Sequence, residues 1–115
     1  DLGIRFYTYP EICKKGLASC LSEAVQYLSR LNYFHLSFDI DSMDPALMPG
    51  VSVPVKSGFT EEEVYEMMGT LMKELPIISY EIVEFNQEFD RDNRPAAFVS
   101  ELVDFITNAE RKEAF

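Results

Sequence analysis

Apolar residues along this chain switch repeatedly between two spacings, and that alternation constrains its fold more than any other feature. Gly3-Ile4-Arg5-Phe6-Tyr7-Thr8 is rich in strand formers and reads as a short strand. Pro10-Glu11 opens a helix in which Leu17, Leu21, Ala24, Val25, Leu28 and Leu31 recur at helical spacing. Tyr33 through Ile40 is apolar for most of its length, as suits a parallel strand covered on both faces. Thr60-Glu61-Glu62-Glu63 has the form of a capping box and starts a helix with Val64, Met67, Met68, Leu71 and Met72 on one face. Pro76 ends that helix, and Ile77 to Phe85 reads as a third buried strand. Pro95 suits the first turn of a last helix, whose apolar stripe is Ala97, Phe98, Leu102, Val103, Phe105 and Ile106. Three strand–helix units in succession predict an α/β fold, a parallel sheet with right-handed crossovers. Helices over 19–31 and 96–109 are expected to cover the sheet.

A length of 115 residues, 47% hydrophobic and 26% charged, fits one globular domain with a real core. Ten Lys and Arg against twenty Asp and Glu leave a net charge of −10, which excludes a nucleic-acid module and argues against an anionic membrane surface. No apolar run approaches the roughly 18 residues that span a bilayer, and no signal peptide is visible. The first strand begins with no lead-in, as expected of a chain that opens inside a domain. Cys13 and Cys20 fall on one face of what reads as a single helix, so they read as two reduced thiols of a cytoplasmic protein rather than a disulfide.

Chemistry gathers at the strand ends. Ligands of open α/β sheets sit beyond the carboxyl ends of the strands, and Asp39, Asp41 and Glu84 fall there. In an extended segment residues i and i+2 point the same way, so Asp39 and Asp41 would face one site with Ile40 packed behind. Two such carboxylates repel unless a cation neutralises them, and a hard divalent ion such as Mn²⁺ or Mg²⁺ suits oxygen donors. The plainer alternative is that these acids cap loops or solvate the sheet edge. Glu84 divides the same way, between pairing with a lysine or helix end and receiving a planar cationic group through paired hydrogen bonds. The stretch from Ser42 to Phe59, punctuated by Pro45, Pro49, Gly50, Pro54 and Gly58, reads as a long functional loop. His35, the single histidine, reads as a satisfied core residue at the wrong end of its strand to join the aspartates. Met67, Met68 and Met72 read as core filler. Neither a zinc site, a nucleophilic cysteine, a glycine-rich phosphate loop nor a Ser-His-Asp set can be assembled.

His35-Leu36-Ser37-Phe38-Asp39-Ile40-Asp41-Ser42-Met43-Asp44-Pro45, followed by Pro49-Gly50-Val51 and Pro54-Val55, closely resembles the carboxy-terminal signature of the arginase family of ureohydrolases, which also holds agmatinase and formimidoylglutamase. Leu2 through Thr8, Glu11-Ile12, Gly16-Leu17 and Glu23-Ala24 resemble the segments before that signature. Gly58-Phe59-Thr60 and Glu81-Ile82-Val83-Glu84-Phe85-Asn86 resemble those after it. The resemblance implies a three-layer αβα sandwich around a parallel sheet, of which residues 1–115 would be the carboxy-terminal part of a single domain. It implies two Mn²⁺ ions per complete site, with Asp39 and Asp41 as metal ligands and Glu84 receiving the substrate guanidinium. The remaining ligands of the family have no match here, so the 115 residues alone are expected to be inactive. Ser42, Ser52-Val53, Ser57 and Gln87 depart from the family pattern around the site and leave the amidino substrate open. The activity implied is hydrolysis of L-arginine to L-ornithine and urea, with formimidoylglutamase and agmatinase chemistry as alternatives. From other classes come a non-catalytic arginase-like subunit and, more distantly, a phospho-receiver domain using Lys56. A small guanidino or amidino substrate and, at full length, a homo-oligomer complete what the resemblance implies.

Overall fold

The computed structural model describes residues 3–44, 58–85 and 94–114. The elements are α1 (Tyr9–Lys15), α2 (Leu17–Leu28), β1 (Phe34–Asp39), a 3₁₀ turn (Ile40–Ser42), α3 (Glu61–Glu74), β2 (Ile77–Val83) and α4 (Arg94–Ala114). β1 and β2 lie side by side and parallel, with Ser37 opposite Glu81, Phe38 opposite Ile82 and Asp39 opposite Val83. A parallel pair needs a long crossover, and here α3 supplies it. Its start is set locally as the sequence predicts: Thr60 Oγ1 accepts from the Glu63 amide while Glu63 Oε1 accepts from the Thr60 amide, each at 3.2 Å.

The core lies between one face of the two-stranded sheet and the helix pair α3–α4. Phe38, Ile40 and Met43 meet Val64, Met68 and Met72 of α3 and Phe98, Leu102 and Ile106 of α4. Val64, Leu102 and Ile106 are fully buried, and each contributes roughly 1.5–3 kcal/mol relative to an exposed position. Tyr65 stands edge-on to Phe98 and Phe105, with ring centroids 5.9 and 5.1 Å apart. The stripe read for the last helix holds at Phe98, Leu102 and Ile106, Phe105 stands at its rim against Tyr65, and Ala97 and Val103 lie towards solvent.

Several expectations need correction. Residues 3–8 form no strand: they have no ladder partner among the described residues, and β-forming side chains do not make a strand without a neighbour to take their amides and carbonyls. Ile4 and Phe6 are consequently more than 70% exposed. The first helical stretch divides at Gly16, whose φ of 91° no helix accommodates; its amide closes α1 on the Ile12 carbonyl and α2 starts beyond it. Cys13 and Cys20 therefore sit on different helices, one exposed and one buried, both free. α2 packs on α3 rather than lying chiefly on the sheet. β1 is not apolar on both faces: Phe34, Leu36 and Phe38 turn inward while His35, Ser37 and Asp39 are exposed. The third predicted strand stops at Val83 because Glu84 leaves the extended conformation.

Most of the predicted long loop, residues 45–57, lies outside the described residues, as do Ser52-Val53, Lys56, Ser57 and Gln87. The two ends of that loop are fastened together. The Asp44 amide donates to the Phe59 carbonyl at 2.9 Å and the Phe59 amide to the Ser42 carbonyl at 3.0 Å, and Tyr9 stands edge-on against the Phe59 ring at 5.2 Å. Gly58 is required for this closure, because a Cβ there would lie 2.5 Å from the Asp44 nitrogen and the Met43 carbonyl oxygen. Gly58→Ala is therefore expected to destabilise by about 1–3 kcal/mol, the usual cost of overpacking. A denaturant midpoint equal to that of the unsubstituted chain would show that the closure is not rigid.

Candidate functional site

β1 and β2 end level with each other, Asp39 opposite Val83, so the residues that follow both strands emerge at one edge. Asp39 is the last residue of β1 and caps the 3₁₀ turn: its Oδ1 accepts the Asp41 amide at 2.8 Å. This changes the geometry expected of the pair. The chain turns at Ile40, so Asp39 and Asp41 are not on a common extended face, although Ile40 is buried behind them as the sequence suggests. A short polar side chain competes for nearby amides wherever the backbone can turn, and here that competition bends the Asp-Ile-Asp segment. Both carboxylates are exposed.

As a donor set the two aspartates offer only hard oxygen atoms, which fits Mn²⁺ or Mg²⁺ and not a thiophilic ion. Among the described residues no three His, Cys, Asp or Glu side chains come together to complete such a site. Asp44, which also follows the strand, is tied through its backbone to Phe59.

Glu84 directly follows β2, exposed, with φ of 66°. It is the one non-glycine residue with positive φ among the described residues. That left-handed conformation costs an L-residue roughly 1–2 kcal/mol, and such strain concentrates where a side chain is aimed for a purpose. It turns the Glu84 backbone out of line with β2 beside the end of β1. Composition and periodicity carry no signal for it, because strain belongs to the backbone.

The outer face of the sheet carries a polar group that the sequence reading passed over. Ser37 Oγ donates to Glu81 Oε1 at 2.8 Å, and His35 Nδ1 lies 2.8 Å from Ser79 Oγ. His35 Nε2 is also 3.6 Å from the same Glu81 oxygen. The Ser37 hydroxyl first, and then His35, hold the Glu81 carboxyl below its ordinary value. His35 is thus hydrogen-bonded but exposed, not a core histidine. Polar residues at 35, 37 and 39 and at 79 and 81 are the period-two signal that would have revealed this face.

The chain is thus an α/β fold with acidic residues beyond the carboxyl ends of adjacent parallel strands, the edge at which open α/β sheets place their ligands. The sequence profile of the arginase family matches residues 1–107. The chain is 36% identical over 106 residues to the arginase of Bacillus subtilis (strain 168), covering 92% of this chain and 36% of that one. It is 36% identical over 104 residues to the arginase of Bacillus caldovelox, covering 90% and 35%. The solved structure of the Bacillus caldovelox arginase superposes with a TM-score of 0.78 at 34% identity, over 90% of this chain and 35% of that one. A hypothetical agmatinase from Burkholderia thailandensis shares the fold at a TM-score of 0.81 and 23% identity, over 98% of this chain and 35% of that one. The chain belongs to the arginase family. It spans about a third of the length of the curated relatives it matches.

Two tests follow. Glu84→Gly relieves the left-handed strain, roughly 1 kcal/mol, against an entropic cost for glycine of roughly 0.5 kcal/mol. It should therefore match or exceed the wild type in a urea melt, while Glu84→Ala should not; a glycine variant weaker than the alanine variant would remove the strain argument. The second concerns pH. Glu81 has a lowered folded pKa, so its contribution to stability is present above the ordinary carboxylate value of 4.5 and is lost as pH falls through the folded value. In Ser37→Ala the carboxyl titration of Glu81, followed by NMR, should move up towards 4.5.

Proposed function

We propose that these residues are the carboxy-terminal part of a single ureohydrolase domain whose whole protein hydrolyses L-arginine to L-ornithine and urea with two Mn²⁺ ions per site. The observation that carries the reading is the register that sets Asp39 opposite Val83, so that the Asp39–Asp41 turn and Glu84 leave the same sheet edge. The identity of 36% with two Bacillus arginases supports the substrate. A homo-oligomeric assembly belongs to the same proposal on family resemblance, and a cytoplasmic location on Cys13 and Cys20 as reduced thiols. Among the described residues no helix is long and apolar enough to cross a membrane.

In this reading Asp39 and Asp41 hold metal through carboxylate oxygens, together with donors from the rest of the protein. Bound Mn²⁺ supplies Lewis acidity and a nucleophilic water at neutral pH. Glu84 receives the guanidinium through charge-assisted hydrogen bonds. Its carboxylate neutralises the cation and orients the amidino carbon towards the end of β1, which is catalysis by positioning. Water adds to that carbon, the bond to the side-chain nitrogen breaks, and that nitrogen takes a proton to leave as the amine of ornithine, with urea as the other product. Formimidoylglutamase is the second reading, on the strength of Pro49-Gly50-Val51-Ser52 and of Asn86 with Phe89-Asp90.

The complete protein, loaded with Mn²⁺ and offered L-arginine, agmatine and N-formimidoyl-L-glutamate separately, decides between these. Urea from arginine alone is the expected outcome, and no turnover of arginine would sink the leading reading. Asp39→Asn should lower turnover by more than about 100-fold, since loss of a direct ligand exceeds the roughly 10- to 100-fold cost of losing a ligand-orienting partner. Its Mn²⁺ affinity, measured by calorimetry, should fall alongside.

A further inference from the structure

Strands of parallel sheets are ordinarily apolar on both faces, yet the outer face here carries four polar side chains bonded across the strands. They occupy a particular place. The ladder is irregular at its start: Phe34 pairs with Ile77 but His35 pairs with Ser79, leaving Ile78 as an extra residue. Ile78 is 66% exposed. The first pair beyond the irregularity, His35 with Ser79, is joined by a side-chain hydrogen bond, and the next outward-facing pair, Ser37 with Glu81, by another. The outward-facing pair after that is Asp39 with Val83, where the candidate site begins. Hydrogen-bonded side chains therefore stand between a weak point in the register and the residues whose relative placement the chemistry needs.

We propose that His35, Ser37, Ser79 and Glu81 form a positioning clamp that fixes the register of β1 on β2 and so sets the position of Glu84 relative to Asp39. This rests on the function proposed above. A slip of one residue would carry Glu84 about 3.3 Å along the strand and turn the side chains of the slipped strand to the opposite face. The amides and carbonyls of the ladder can pair in either register, whereas Ser37 reaches Glu81, and His35 reaches Ser79, only in the observed one. Glu81 joins the two pairs, because its Oε1 both accepts from Ser37 and faces His35. None of the four touches substrate in this reading; they act through the strands.

The clamp has a distinctive signature. Asp39 and Asp41 lie on the same segment, so loosening the strands leaves the metal carboxylates together, and Glu84 still offers a carboxylate to the guanidinium. What suffers is the alignment of the amidino carbon. In the complete protein, Ser37→Ala and Glu81→Gln should each lower kcat by about tenfold, as a misplacement of a fraction of an ångström does, with KM and Mn²⁺ affinity within about twofold of wild type. Ser37→Thr, which keeps the hydroxyl, should restore kcat. Backbone hydrogen exchange over residues 36–39 and 80–84 should quicken in the alanine and glutamine variants and return with threonine. Unchanged exchange in those variants overturns the clamp whatever the activity, and so does an unchanged kcat, or a loss that comes with release of Mn²⁺. Should the wild type hydrolyse no guanidino or amidino compound, the proposed function fails, and the clamp as a device for register stands or falls on the exchange data alone.

Discussion

The parallel ladder between β1 and β2 is the constraint on which the remaining structure depends. Two parallel strands cannot be joined by a hairpin, so the residues between them must travel back along the sheet, and α3 makes that return. The same requirement sends both strands out at one edge. Asp39 and Glu84, forty-five positions apart in sequence, become neighbours because of strand direction and register, with no direct bond between them needed to explain it.

Burial then decides which side of the ladder is which. Phe38 faces α3 and α4, and once it is inside, the period of two places His35, Ser37 and Asp39 on the opposite face. Ile40, buried one step beyond, anchors the turn on which Asp39 and Asp41 sit. The apolar core and the polar outer face of β1 are thus two consequences of one alternation. Close packing at Gly58, where no Cβ fits against Met43 and Asp44, fastens the chain again just beyond that turn.

Local rules and tertiary demands agree over most of the described chain. Thr8 caps α1, Thr60 caps α3 in a reciprocal box, and the apolar stripes of α3 and α4 meet each other. Disagreement falls at the strained Glu84, the extra residue Ile78 and the polar face of a parallel strand, and also, away from that strand pair, at residues 3–8 and at Gly16.

The capping box at Thr60, the buried residues of α3 and α4, the cores of β1 and β2 and the acids at their ends were legible in the sequence because each depends on neighbours within a few residues. That Asp39 and Glu84 leave the sheet at one edge was predictable, since acids that terminate apolar runs of parallel strands have one edge to go to. What only the tertiary structure decided depends on partners distant in sequence. Residues 3–8 have strand-forming side chains but no ladder partner among the described residues. Gly16 divides one helical pattern into two helices by its φ, which composition does not reveal. His35, read from sequence as a core residue, is exposed and bonded to Ser79 because register rather than hydrophobicity sets which residue lies across from it. The bend between Asp39 and Asp41 and the left-handed turn at Glu84 were equally hidden. Both are choices of backbone conformation, and in a folded chain those are settled by what the surrounding packing will hold in place.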